Sequence, residues 1–206
     1  MRREASVRNT VLIDFDGVIR HWSSTELDNY AASLGLESNP LFPCAFSERH
    51  LLPAITGRIS HEEWCDNVCF DLSKDYGQNV AEELVKKWYS LEAEIDYDFL
   101  TKIRSQPSFG QLVLVTNATS RLNNDLHSVG LEGEFDKVIN SSEIGIAKPA
   151  LNYFHIALKK LGVSKDNCVF IDDTPKNVEA ARSLGIESLL HSNIQETLQF
   201  IEEKCA

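Results

Sequence analysis

Two carboxylates one residue apart, Asp14 and Asp16, close the apolar run Val11-Leu12-Ile13 and are followed by Gly17. With Phe15 between them, a period-2 backbone points both acids to the same side. A strand this apolar, bounded by a turn residue, reads as buried on both faces of a parallel sheet. Its carboxyl end is where open α/β sheets bind ligands. Two acids within reach of one reacting group suit a nucleophile beside an acid/base, or a shared metal. The plain alternative is a capped strand end, with both acids accepting turn hydrogen bonds.

Two further apolar runs end in polar residues. Gln-Leu-Val-Leu-Val at 111–115 runs into Thr116 and Asn117, and the run at 168–171 into Asp172 and Asp173. Lys148 stands just before Pro149, at the start of an amphipathic helix expected over residues 149–161. Further helices are expected over about 119–129, over 175–184 and from about Asn193, with short strands at 137–140 and 188–191. Strands alternating with helices mean βαβ units, so the fold class is α/β with a doubly wound, Rossmann-like parallel sheet. In the order 3-2-1-4-5 the first strand lies between the second and the fourth. All three polar ends then meet at the switch point, within reach of the Lys148 loop.

Residues 20–99 read differently. Leu27, Tyr30, Ala31 and Leu34 recur at helix spacing ahead of Gly35, and Pro40, Pro43 and Pro53 interrupt the next piece. Ser60-x-x-Glu63 is a capping box preceding Trp64, Val68 and Leu72, while Val80, Leu84 and Trp88 form another stripe. Glu92, Glu94, Asp96 and Asp98 read as a solvated face. The expected organisation is a core of residues 1–19 and 100–206, interrupted by an all-helical insert over 20–99.

The 206 residues are 43% hydrophobic and carry a net charge of −11. That balance disfavours nucleic acid or an anionic membrane as partner, since both call for a basic footprint. No run of about 18 apolar residues suggests a transmembrane helix. The basic stretch 1–8 lacks the apolar segment of a signal peptide, so a cytoplasmic location is expected. Five scattered cysteines argue for buried thiols rather than disulfides.

Charge sets the chemistry. Four carboxylates and a phosphate dianion bring six negative charges against the one positive charge of Lys148. Two like charges about 4 Å apart repel by roughly 4 kcal/mol at an effective dielectric of 20. A hard dication with oxygen ligands, in practice Mg²⁺, removes two of those charges. A proton on one acid and a helix N-terminus near Thr174 offset more. The protonated acid is then a proton donor to a leaving group. These residues therefore point to Mg²⁺-dependent phosphoryl transfer through an aspartyl nucleophile.

Asp-Phe-Asp-Gly-Val-Ile, Val-Thr-Asn, Ile-Ala-Lys-Pro and Phe-Ile-Asp-Asp-Thr-Pro-x-Asn-Val resemble, in order, the four motifs of the haloacid dehalogenase-like hydrolase superfamily. The helical insert resembles, less specifically, the C1-type cap of its phosphatase-like subfamily. The resemblance implies that Asp14 attacks phosphorus. Asp16 would protonate the leaving alcohol and activate water, its main-chain carbonyl ligating Mg²⁺. Thr116 and the Asn117 N–H would hold phosphoryl oxygens, and Lys148 would neutralise charge. Asp173 would bind the metal directly and Asp172 through a water.

Other readings share parts of this set. A 2-haloacid dehalogenase uses the same first Asp but needs neither metal nor leaving-group acid, so Asp16 weighs against it. A sugar-phosphate mutase uses the whole set. A signalling receiver domain has its Asp pair first and the other motifs after it on a shorter chain, whereas here Asp172-Asp173 come last. A non-catalytic binding or regulatory protein remains the alternative of another class. The expected substrate is a small phosphorylated metabolite such as a sugar phosphate or nucleotide, read by the insert. Arg20, His21, Trp22, His50 and Arg58 are its candidate contacts.

Overall fold

The structure is a computed structural model that describes residues 9–106 and 110–205. The basic stretch 1–8 lies outside the described residues. The central sheet uses β1 (Thr10–Ile13), β4 (Gln111–Thr116), β5 (Lys137–Asn140), β6 (Cys168–Asp172) and β7 (Glu187–Leu190). Among the described residues these five strands are all parallel, in the order β5-β4-β1-β6-β7. Counted along the chain that is 3-2-1-4-5, as the alternation of strands and helices predicts.

Alternation within β1 sorts its side chains to two faces. Val11 and Ile13 enter one apolar layer, with α6 (Tyr97–Arg104), α7 (Leu122–Ser128) and α11 (Ile194–Lys204). Leu12 enters the other, with α9 (Leu151–Leu161) and α10 (Pro175–Ser183). A short α8 (Ser141–Ile144) follows β5. Both faces of β1 are covered, which is why it reads as a continuous apolar run.

Between β1 and α6 the chain builds α1 (Thr25–Ser33), α2 (Leu41–Ala45), α3 (Glu48–Ile55), α4 (His61–Tyr76) and α5 (Gln78–Tyr89). These helices bury an apolar cluster of their own, with Leu27, Leu41, Trp64, Val68, Leu72 and Leu84 at its centre. The Ser60/Glu63 capping box starts α4, both reciprocal hydrogen bonds being present. Gly77, at φ +83°, separates α4 from α5. The insert is not wholly helical. Its entry and exit strands, β2 (Arg20–His21) and β3 (Glu94–Ile95), pair antiparallel. A two-residue ladder carries no periodicity that a sequence pattern could reveal.

Two core helices start later than expected. α9 begins at Leu151 because Ala150 is extended, with ψ 128°. α7 begins at Leu122 because Thr119 and Ser120 instead contact His61 across the cavity.

Candidate active site

Parallel register brings the strand ends together. Ile13 pairs with Leu114 on one side and Ile171 on the other, and the Asp14 N–H donates to the Ile171 carbonyl at 2.9 Å. Asp14, the Val115–Thr116 end of β4 and Asp172 thus lie side by side. Lys148 is buried beneath them, its Nζ lying 2.9 Å from Asp14 and donating to Asp172 at 2.6 Å and to the Val115 carbonyl at 2.8 Å. Three acceptors match the three protons of an ammonium. Asn117 fixes the lysine's main chain from both sides, donating to the Lys148 carbonyl at 2.9 Å and accepting from its N–H at 2.8 Å.

Burial would depress the Lys148 pKa, but the Asp14 and Asp172 carboxylates outweigh it and hold the ammonium above its ordinary value. Burial raises the Asp14 carboxyl from 3.8 to about 7; Lys148 opposes that rise and Asp172 adds to it. Burial and then Asp172 likewise raise Asp173.

The two adjacent acids at the end of β6 face opposite ways. Asp172 points inward, fully buried, and accepts from Lys148, from the Thr174 N–H at 2.8 Å and from Asn177 Nδ2 at 3.0 and 3.1 Å. Asp173 faces the cavity, with Thr174 Oγ1 donating to it at 3.2 Å. Carboxylate oxygens of Asp14, Asp172 and Asp173 lie within 4.8 Å of one another. Gly17, at φ +80°, is packed so closely that a Cβ there would lie 2.0 Å from Asp173 Oδ2. Three hard oxygen donors with one ammonium leave two negative charges unbalanced, a set that fits a hard dication. Asp172 has its oxygens engaged, which leaves Asp14 and Asp173 as the donors with free capacity.

Asp16 stands apart from that trio. Arg20 grips its carboxylate with Nε at 2.7 Å and Nη2 at 2.9 Å, and Trp22 Nε1 donates at 2.8 Å. Arg20 also reaches Asp125 at 3.0 Å, and its guanidinium lies 4.3 Å from the Phe15 ring centroid. Asp16 is therefore at the rim of the cavity, held by Arg20 and Trp22.

The strand ends and the insert enclose a cavity of about 610 Å³. Asp14, Asp16, Thr116, Asn117 and Asp173 line its sheet side. Phe42, Phe46, Leu51, Trp64, Trp88 and Tyr89 line much of the insert side. His61 joins the two, its N–H donating to Ser120 Oγ and its Nδ1 lying 3.0 Å from Thr119 Oγ1.

Of the five residues expected to read the substrate, Arg20 and Trp22 line the cavity, but both are bonded to Asp16. His21, His50 and Arg58 do not line it. His21 is exposed on β2, Arg58 is exposed after α3, and His50 is buried against Asp71 at 2.7 Å. Histidine and arginine at unremarked insert positions carry no directional signal, so residue type alone misplaced them. The sequence reading missed His61, Arg121, Asp125 and the aromatic wall. The Trp64 and Trp88 stripes were visible, but as core positions.

A family model described as a haloacid dehalogenase-like hydrolase matches residues 9–185, and the chain belongs to that family of enzymes. It is 35% identical over 80 residues to a phosphoserine phosphatase of Thermus thermophilus, covering 38% of this chain and 32% of that protein. It is 20% identical over 119 residues to haloacetate dehalogenase H-2 of a Moraxella strain, covering 58% of this chain and 53% of the relative. The first curated relatives are matched over only 11% to 53% of their length. Among solved structures, an enzyme of the same family from Bacteroides thetaiotaomicron, in complex with magnesium and inorganic phosphate, superposes with a TM-score of 0.71. That match has 21% identity and covers 89% of this chain and 94% of that one; it speaks to the fold.

Proposed function

We propose that this protein is a Mg²⁺-dependent phosphatase that hydrolyses a small phosphate monoester through an aspartyl-phosphate on Asp14. The reading rests above all on one arrangement. Asp14 lies 2.9 Å from buried Lys148 and within 4.8 Å of Asp173, at the floor of a cavity that Asp16 also lines.

Asp14 and Asp173 would hold the ion, with the Asp16 main-chain carbonyl beside them and Asp172 behind. When bound, a dication supplies positive charge that keeps Asp14 ionised and screens the phosphate. An Asp14 oxygen attacks phosphorus in line, and the P–O bond to the alcohol breaks. As the ester enters, the Arg20 contact loosens and Asp16 takes up a proton from solvent, which it gives to the departing oxygen. Asp16 then removes a proton from water, whose attack on phosphorus releases phosphate and restores Asp14. Lys148 holds the nucleophile in place, and Thr116 with the Asn117 N–H receives phosphoryl oxygens. Residues 20–99 act as a cap over a core of 1–19 and 100–206, excluding water from the mouth.

The likeness to a haloacetate dehalogenase favours a second reading, in which Asp14 displaces halide from carbon. Asp16 and Asp173 have no task in that chemistry, whereas both have one in phosphoryl transfer. The two readings separate in one assay: phosphate esters and 2-chloropropionate, each with and without Mg²⁺, beside an Asp14→Asn control. The expected result is metal-dependent phosphate release that vanishes in the control. Metal-independent chloride release without phosphatase activity would replace the first reading by the second.

A further inference from the structure

We propose that the leaving group is an uncharged, mainly apolar alcohol, aryl-substituted or branched alkyl, rather than a sugar, a nucleoside or an amino acid. This rests on the phosphatase reading above and names its substrate class.

A run of rings lines much of the insert side of the cavity. Phe42 and Phe46 have centroids 5.7 Å apart, Phe46 meets Trp64 edge-on at 6.0 Å, and Trp64 meets Trp88 at 4.8 Å. Tyr89 continues the run beyond His61, at 6.0 Å. Phe46 and Tyr89 are 53% and 52% exposed although they line the cavity. Such rings are an ordinary core when covered, as Trp64 largely is; here Phe46 and Tyr89 stay open to the space in front of Asp14. Apolar carbon placed there is removed from water on both sides.

Charge points the same way. The arginines lining the cavity are already paired: Arg20 with Asp16 and Asp125, and Arg121 with Asp125 at 2.7 Å while lying over the Tyr89 ring at 4.4 Å. Burial, then the neighbouring Arg121, depress the His61 pKa and so disfavour its charged form. Among the described residues lining the cavity, then, no unpaired cation waits for a second phosphate or a carboxylate. The indole N–H groups of Trp22 and Trp64 are likewise donated, to Asp16 and to the Ala45 carbonyl, and do not offer themselves to a polyol. A polar leaving group would exchange its water mainly for ring faces, a loss those faces do not compensate.

The test compares alkyl esters of similar intrinsic reactivity with Mg²⁺ present: 2-phenylethyl phosphate and 3-methylbutyl phosphate against glucose 6-phosphate, AMP and O-phosphoserine. The expected kcat/KM is at least about tenfold higher for the apolar pair. The Phe46→Lys variant should lower that preference about tenfold, chiefly through KM. Trp22, Trp64 and Trp88 are the chain's three tryptophans and all line the cavity. Benzylphosphonate should therefore change the intrinsic emission at lower concentration than 2-aminoethylphosphonate does, independently of turnover or of how well the variant folds. Equal or better turnover of the polar esters, with no binding preference for benzylphosphonate, overturns this inference and leaves the phosphatase reading standing. Absence of metal-dependent turnover for every ester overturns both.

Discussion

On the sheet side of the cavity each charged group has partners fixed in number and direction. Lys148 meets three acceptors, Asp172 accepts from three residues, and Asn117 grips the lysine main chain at two points. On the insert side the contacts are ring edges and faces between 4.8 and 6.4 Å apart, with broad angular tolerance. The first surface stores charge that one arrangement alone can balance. The second offers area, which many side chains could supply. In the proposed reading, chemistry belongs to the intolerant surface and selectivity to the tolerant one.

The largest effect should come from changing one atom on the intolerant side. Asp14→Asn keeps the shape and removes the proposed nucleophile, so phosphate-ester turnover should fall by at least about 10³-fold in steady-state assays. Retained activity would break the contrast outright. Next, Lys148→Ala leaves Asp14 and Asp172 without their counter-charge in a buried setting. Losing one partner of a buried pair costs about 3–5 kcal/mol, to be read from urea unfolding at pH 8.

Metal comes third. At a hundredfold excess over its Kd, Mg²⁺ should stabilise the folded protein by about 2.7 kcal/mol. Asp173→Asn should abolish most of that gain, and calorimetry with and without EDTA reads both. The fourth effect is a pH dependence. Folding raises the Asp14 pKa from 3.8 to about 7, so the folded chain holds that proton more tightly than the unfolded chain. The associated stability is full below 3.8 and is lost as pH rises through about 7. Without divalent metal, the urea midpoint should therefore drop between pH 5 and 8, and Asp14→Asn should flatten that part of the drop.

The smallest effect belongs to the other wall. Phe42→Leu exchanges one apolar group for another of similar bulk and should cost less than about 1.5 kcal/mol in unfolding experiments. A loss as large as that of Lys148→Ala would mean that the two surfaces differ less than their contacts suggest.

The same difference explains what could be read from the sequence. Asp14, Thr116, Lys148 and the Asp172-Asp173 pair were legible because each is fixed by a short local rule. An apolar strand ends, its alternation sets direction, and doubly wound order makes the ends neighbours. The inward turn of Asp172 and outward turn of Asp173 follow from that alternation. Asp16 was legible as a member of the site but not in its attachment, since Arg20 and Trp22 come back to it through a tight turn closed by the Arg20 N–H on the Phe15 carbonyl at 2.9 Å and the Gly17 N–H on the Arg20 carbonyl at 2.8 Å. The aromatic wall was illegible for a different reason. Whether Phe46 or Tyr89 faces a cavity or a core depends on how five helices settle against one another. His50 showed the reverse error: a reactive residue type whose partner, Asp71, lies 21 positions away on α4 and absorbs it into the packing.

The chain enters and leaves the insert at two short strands bonded side by side, with the Asp96 N–H donated to Ile19 and the Gly17 N–H to Arg20. Were the insert to swing, such a neck would be its pivot, and Arg20 sits on it while its guanidinium spans Asp16 and Asp125. A swing of the insert would tug on that guanidinium and so on the group assigned to carry protons. Admission of a molecule and the arming of its acid would then be one mechanical coordinate rather than two successive events.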